Sequence, residues 1–330
     1  MEFKLITLGI SSASPTVNRF PSAHVLKVRG RSFLIDCGEG AQLLMKRYGI
    51  NFNGISDIFL SHLHGDHLYG IFGLLSTMSL MGRTSPINIF APRGFSRIME
   101  FLNSEIGKDK QYEINFIPVE CRSPYFIEEF SNLTIEAFPL KHRVETYGYM
   151  FREKQPDRNV HKSLIEPYGL TLREIASLKR GENVIRNVED GKPVTEADGS
   201  GKDAAFANVL TTDVFTYRPF EPRSFAYCSD TARFNELPLW IKGVNLLYHE
   251  ATFTSEMDGK AEKTFHSTAA EAAACARDAG AGKLVMGHFS SRYRDLSQIL
   301  KEAREVFPES YLAKEGAEFD IPLDKVQDLR

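Results

Sequence analysis

Apolar and polar positions along the chain fall into short runs broken by Gly, Ser, Pro and Asn. Residues 3–9, 22–29 and 31–37 read as three successive strands. The third ends at Asp36-Cys37, and Gly38-Glu39-Gly40 turns the chain into Ala41-Gln42-Leu43-Leu44-Met45-Lys46-Arg47, a good helix opener. Ile55 to Leu60 predicts a buried strand, and Leu68-Tyr69-Gly70-Ile71-Phe72-Gly73-Leu74-Leu75 predicts the start of a helix packed on it. A second strand–helix pair follows at Ile87 to Ala91 and Gly94 to Asn103, and strands predominate from Tyr112 to about Phe151. The second half returns to alternation. Ser224 to Cys228, Val244 to His249 and Lys283 to Met286 predict strands, and Ser267 to Ala279 and Leu296 to Val306 predict helices. Thr268 and Glu271 fit a capping box at the start of the first of these helices. Two halves that each alternate strands with helices call for two sheets face to face with helices outside.

Residues 154–212 depart from this pattern. Lys154-Gln155-Pro156-Asp157-Arg158-Asn159 opens the stretch, and 188–193 and 198–203 are turn-rich. A helix from Thr171 to Arg180, with Thr171 near its cap, lies between them. The expected layout is a body made of 1–153 and 213–330 with an insertion at 154–212, an ordinary surface loop being the simpler alternative.

Composition adds little to this and excludes some classes. With 330 residues, 42% hydrophobic and 25% charged, the chain has enough apolar content for a large core. A formal net charge of −3 supplies no global basic field for coating nucleic acid, though a local basic patch remains open. Cys37, Cys121, Cys228 and Cys275 are scattered without a Cys-x-x-Cys pair, as expected for free thiols in a reducing compartment. The N-terminal run is too short for a signal peptide, and no apolar stretch approaches the ~18 residues of a membrane span. A cytoplasmic protein with no membrane contact is expected.

The chemistry concentrates at Ser61-His62-Leu63-His64-Gly65-Asp66-His67, three imidazoles and a carboxylate at a strand-to-helix turn. Neutral imidazole nitrogen and carboxylate oxygen are the ligands that zinc and its neighbours prefer. Further ligands must come from elsewhere, and three residues close apolar strand-like runs in the same way: His142, Asp230 and His288. Side chains at strand ends are held by a rigid scaffold, which suits a metal site.

These segments resemble the ribonuclease Z family of the metallo-β-lactamase superfamily. The resemblance rests on Ser61 to His67, His142 with Tyr147-Gly148-Tyr149, Ser229-Asp230-Thr231, His249-Glu250-Ala251-Thr252-Phe253, His266-Ser267-Thr268 and His288-Phe289-Ser290-Ser291-Arg292-Tyr293. Gly9 to Thr16 and Asp36 to Gln42 are similar as well. The His-x-His-x-Asp-His motif marks the superfamily, and the His-Glu-Ala-Thr and His-Ser-Thr segments point to the family. The resemblance implies a four-layer αββα sandwich with an inserted arm. It implies two Zn2+ per chain: one held by His62, His64 and His142, the other by Asp66, His67 and His288, with Asp230 bridging. Such ligands also accept Mn2+ or Fe2+. Two close metal ions clamp a phosphodiester and supply a nucleophile at neutral pH.

Asp66 is then expected to orient or deprotonate the attacking water, and His266, oriented by Glu250, to protonate the leaving ribose oxygen. Arg292 is a candidate phosphate contact. The implied substrate is precursor tRNA, cut on the 3′ side of the acceptor stem, and the implied assembly is a homodimer. In the arm, Leu178-Lys179-Arg180-Gly181-Glu182 is similar to the family while its Gly-Pro-rich motif is not matched, and Lys162, Arg173, Lys179 and Arg180 are candidate phosphate contacts. His24, His161 and His249 are expected to be structural, and Asp36 and Glu39 to organise the turn beside the site. Two other readings compete: a superfamily hydrolase of a small ester, lactone or phosphodiester, and an inactive RNA-binding relative, which would have lost ligands.

Overall fold

Alternation along the N-terminal strands sorts their side chains into two cores. In the computed structural model, which describes residues 1–106, 111–186, 209–326 and 328, Leu5, Leu26, Phe33, Ile35, Phe59 and Phe90 meet Leu133, Ile135, Tyr149, Phe151, Phe225 and Leu246 in one cluster. Their sequence neighbours Ile6, Val25, Leu34, Ile58, Leu60 and Ile89 join Leu44, Leu74 and Met78 in another. A period of two puts successive residues on opposite faces, so the first cluster lies between two sheets and the second under a helical layer. Phe59 stacks on Phe90 with ring centroids 4.7 Å apart and meets Tyr149 and Phe151 edge-on at 5.2 Å, tying the sheets together.

The elements follow in chain order. Strands β1 (Phe3–Gly9), β2 (Ala23–Val28) and β3 (Arg31–Cys37) lead into helix α1 (Ala41–Arg47) and strand β4 (Ile55–Phe59). Helices α2 (Gly65–Leu68) and α3 (Gly70–Leu80) precede β5 (Ile87–Pro92), α4 (Ser96–Phe101) and β6 (Ile114–Val119). Strands β7 (Tyr125–Glu129), β8 (Leu133–Pro139) and β9 (Tyr147–Glu153) follow. The helix expected to start at Leu68 begins three residues earlier, inside the His/Asp motif, because Asp66 suits the positive end of a first turn.

Next come β10 (Asn159–Val160), α5 (Lys162–Ile165), α6 (Leu172–Lys179), β11 (Val184–Ile185), β12 (Val209–Leu210), α7 (Thr212–Phe215) and β13 (Thr216–Tyr217). The chain then runs through β14 (Ser224–Cys228), α8 (Leu237–Trp240), β15 (Leu246–Glu250), α9 (Asp258–Thr264), α10 (Ala269–Ala279), β16 (Lys283–Gly287), α11 (Ser297–Val306), β17 (Ser310–Leu312) and β18 (Ala317–Asp320). Capping boxes start α6 at Thr171/Glu174 and α10 at Thr268/Glu271. No strand was expected at β17 or β18. Both are short edge strands whose pairing is supplied by a neighbour rather than by their own pattern.

Each large sheet has seven strands, in the orders β18-β1-β2-β3-β4-β5-β6 and β17-β16-β15-β14-β9-β8-β7. In both, one half is antiparallel and the other parallel: β3 to β6 in the first, β14 to β17 in the second. Parallel strands gather side chains at their C-terminal ends, and that is where the motif residues sit.

The chain divides into two compact units, Met1–Glu153 with Arg223–Pro322, and Lys154–Pro222 with Leu323–Arg330. The second unit has its own small core of Leu170, Leu178, Leu210 and Phe215. It takes in more than the expected 154–212 because β13 pairs with β10, and the Val326 N–H donates to the Pro219 carbonyl at 2.9 Å. The expected turns at 188–193 and 198–203 lie outside the described residues. No helix among the described residues is long and apolar enough to cross a membrane.

Candidate metal centre

The His/Asp motif leaves β4 under tight local control. Tyr149 Oη donates to the Leu60 carbonyl at 2.7 Å, and the Ser61 N–H donates to Asp36 Oδ1 at 2.7 Å. Two glycines let the β3 turn press against the motif. A Cβ on Gly38 would meet the Asp66 carbonyl oxygen at 2.4 Å, and one on Gly70 would meet the Gly38 carbonyl oxygen at 2.1 Å. Any side chain at either position would push the motif away from the strand.

Six of the seven expected ligands surround the seventh. One ligand atom from each of His62, His64, His142 and Asp230 falls within a mutual 4.8 Å, as do those of Asp66, His67 and His288. Asp230 stands between the groups. Its Oδ2 is 3.6 Å from His62 Nε2 and 3.8 Å from His142 Nε2, and its Oδ1 is 3.5 Å from His67 Nε2 and 3.2 Å from His288 Nε2. His266 also comes within 4.8 Å of Asp230 and His288.

Four of the five ligand imidazoles are turned by a hydrogen bond on the far nitrogen, while His64 turns its Nδ1 inward, 2.9 Å from His62 Nε2. His67 Nδ1 donates to Asp36 Oδ2 at 2.7 Å, His62 Nδ1 meets Ser61 Oγ at 3.0 Å, His142 Nδ1 donates to the Phe265 carbonyl at 2.9 Å, and His288 Nδ1 meets Thr252 Oγ1 at 3.0 Å. The four Nε2 atoms are thereby left facing Asp230. Outer partners of this kind fix tautomer and orientation in metal sites.

The electrostatics divide the cluster. Burial opposes a charge on His67, yet Asp230, Asp66 and Asp36 push its pKa up to about 10. Burial, with His67, His64 and His142 alongside, holds His62 well below the usual histidine range and therefore neutral. Burial alone would raise the Asp66 carboxyl, but His67 and His288 hold it well below the usual carboxylate range. Asp230 Oδ1 is buried with no hydrogen-bond partner. A buried carboxylate oxygen without a hydrogen-bond donor, facing two imidazole nitrogens, is a ready ligand, so the donor set fits a divalent metal.

Backbone strain gathers at the same place. Among the described residues, the non-glycine positions with left-handed backbones are Ala13, Arg29, Asp36, Phe265 and His288. All but Arg29 border the site. Each costs about 1–2 kcal/mol. In return the Ala13 N–H donates to Asp66 Oδ2 at 2.7 Å, and Asp36 accepts from the Ser61 N–H and Oγ, His67 and Tyr227.

Beside the cluster, His266 Nδ1 lies 2.9 Å from Glu250 Oε1. Glu250 is fully buried and also accepts from the N–H groups of Thr231, Thr252 and Ser267 and from Thr252 Oγ1. Burial works against its charge, but His266 and Thr252 hold the carboxyl below its ordinary range. Burial likewise opposes protonation of His266, while Glu250 and Asp230 push it up to about 9. With Nδ1 held by Glu250, the other ring nitrogen carries the mobile proton.

Arg292 is exposed, its guanidinium 5.3 Å over the Phe253 ring, which in turn lies 6.1 Å from the His266 ring. His24 sits buried against Tyr248, His161 pairs with Asp328 at 2.6 Å, and His249 donates to its neighbour's carbonyl at 2.7 Å. Sequence reasoning singled out neither Thr252 nor Phe265. Thr252 lies in the quoted His-Glu-Ala-Thr segment, whereas nothing at Phe265 signals a left-handed backbone.

Comparison with known proteins follows this geometry. A family described as Anti-Pycsar protein Apyc1 matches residues 3–164, a stretch that ends before Asp230, Glu250 and His266. Over 321 residues the chain is 40% identical to ribonuclease Z of Cytophaga hutchinsonii, spanning 97% of this chain and 97% of that protein. Over 316 residues it is 36% identical to ribonuclease Z of Bacteroides fragilis, spanning 96% and 98%. The chain belongs to the ribonuclease Z family. Its fold is that of human tRNase Z, short form, with a TM-score of 0.65 at 24% identity over 97% of this chain and 99% of that one. The long-form RNase Z from yeast gives a TM-score of 0.62 at 19% identity, over 97% of this chain and 42% of that one. The four-layer metallo-β-lactamase architecture expected for the ribonuclease Z family is thus the one observed.

Proposed function

We propose that this chain is a zinc-dependent endoribonuclease that removes the 3′ trailer of precursor tRNA by hydrolysing one phosphodiester. The observation that carries the reading is Asp230, set between two histidine groups with one oxygen turned to each, with the Glu250–His266 pair alongside. Membership of the ribonuclease Z family supports the substrate. His62, His64 and His142 would hold one ion, Asp66, His67 and His288 the other, and Asp230 would serve both. Bound there, the pair supplies positive charge to the phosphodiester and acidifies water at neutral pH.

The chain's own residues do the rest. Asp66, aimed by the Ala13 N–H, takes a proton from the attacking water. The water oxygen bonds to phosphorus as the bond to O3′ breaks. His266, held by Glu250, gives its proton to O3′, leaving a 3′ hydroxyl on the tRNA and a 5′ phosphate on the trailer. Arg292 meets a non-bridging phosphate oxygen. The second unit grips the tRNA body through Lys162, Arg173 and Lys179, and two chains pair as a homodimer in the cytoplasm.

Cleavage of a precursor tRNA with a 3′ trailer, beside Asp66→Ala and with metal content assayed in both, tests the reading. Discrete trailer release lost in the variant is expected. Intact RNA with a fully metallated wild type would replace it with a hydrolase of small phosphodiesters or esters. Light scattering decides the homodimer.

A further inference from the structure

Phe265 ends α9 with φ 57 and ψ 49, a left-handed conformation in which glycine is unstrained and a residue with a Cβ is not. The use of its backbone is evident. Its carbonyl accepts from His142 Nδ1 at 2.9 Å, and the next residue is His266. Glycine would serve that purpose with less strain, so the side chain is what calls for a reason. The ring is only half-buried and belongs to none of the three apolar clusters of the described residues. The protein's core does not benefit from it.

Other aromatic rings nearby are already engaged. Phe253 is buried, with the Arg292 guanidinium 5.3 Å and the Lys260 Nζ 5.9 Å from its centroid. Tyr293 spends its hydroxyl on Thr254, from whose N–H it accepts at 3.1 Å. Phe265 is the partly open ring adjacent in the chain to His266.

We propose that Phe265 is a stacking platform for the base of the nucleotide whose O3′ leaves. The inference rests on the endoribonuclease reading above. His266 delivers its proton to that O3′, so the nucleotide joined through it lies against His266 and the residue before it. An aromatic face accepts any base, and a base at the unpaired end beyond a stem is free to leave its neighbours and stack on protein. Phe265 is thus a substrate-binding residue for the nucleotide that becomes the new 3′ end, and its backbone, fixed by the His142 bond, places it directly before the proton donor in the chain.

The test uses the metal-loaded full chain, Phe265→Gly and Phe265→Trp, and two precursor tRNAs: one intact, one abasic at the nucleotide before the cut. Stacking predicts that Phe265→Gly raises KM on the intact precursor by about tenfold, within the range measured for base–aromatic contacts. Phe265→Trp retains the wild-type KM. On the abasic precursor wild type and Phe265→Gly converge. Thermal melting of Phe265→Gly stays at or above wild type, because glycine relieves the left-handed position, so a KM loss cannot be ascribed to misfolding. An unchanged KM on intact precursor, or the same loss on the abasic one, overturns the stacking proposal while wild-type cleavage leaves the endoribonuclease reading standing. Absence of cleavage by wild type overturns both.

Discussion

His67 Nδ1 donates to Asp36 Oδ2 at 2.7 Å, and that carboxylate, which takes three further donors from Ser61 and Tyr227, fixes which imidazole nitrogen faces Asp230. Asp36 touches no proposed substrate and is a positioning residue. Asp36→Ala frees the ring to rotate and to exchange tautomers, and leaves Ser61 and Tyr227 donating into a buried gap. Metal affinity should fall about 10- to 100-fold. Competition against a fluorescent chelator reads this without any activity assay, and wild-type affinity in the variant would contradict the role.

Removing the metal gives the second expectation. EDTA treatment should abolish trailer release, and added Zn2+ or Mn2+ should restore it. Because the ligands converge only in the folded chain, free metal at about 100 times its Kd should stabilise the fold by about 2.7 kcal/mol per site, read as a rise in melting temperature. Elemental analysis should find two zinc per chain. Melting that ignores EDTA would remove the metal from the account.

The Glu250–His266 pair sets a pH limit. The folded pKa of His266 is raised, so the protonated, donating form persists up to about 9 and is lost above it. The cleavage rate should therefore fall on the alkaline side near that pH. Glu250→Gln takes away the main lift and should move the limb to lower pH, while His266→Ala should lower kcat by about 10²–10⁴-fold and abolish that limb. A limb unmoved by Glu250→Gln would assign it to another group.

Where the second unit leaves the body, Glu153 receives Arg223 through Nε at 3.0 Å and Nη2 at 2.8 Å, and Arg29 through Nε at 2.6 Å. Burial opposes the Glu153 charge, but the Arg223 and Arg29 bonds lower its pKa. A depressed carboxylate contributes stability that is present at neutral pH and lost as pH falls through its folded pKa. Glu153→Ala leaves buried guanidinium charge unpaired and should cost about 3–5 kcal/mol in urea unfolding, with a flatter acid limb. A loss below ~1 kcal/mol would show that water reaches Arg223.

For the second unit, Arg173→Ala and Lys179→Ala should weaken tRNA binding and reduce the salt slope by about 0.9 per phosphate contact removed. Arg180 already bonds Glu182 at 2.8 Å on the surface, so Arg180→Ala should change the slope less. Identical slopes in all three variants would place the tRNA contact elsewhere.

Strand alternation and strand-end chemistry were legible in the residues themselves. Leu34 and Phe33 had to face opposite ways whatever the partner, and His62, His142, Asp230 and His288 each ended an apolar run. Periodicity is a local property, so one strand reports its own two faces and its own terminus. The tertiary structure alone decided what those termini meet. Asp36, His142, Asp230 and Glu250 look alike in sequence, polar groups at or just past a strand end, yet Asp230 faces four imidazoles, Asp36 holds one from behind, and Glu250 holds His266. The left-handed backbone at Phe265, the edge strands β17 and β18, and the return of the C-terminal segment to the second unit were equally invisible. Each depends on groups far apart in the chain, and it is the packing of two sheets, not the pattern within either, that brings those groups within bonding distance.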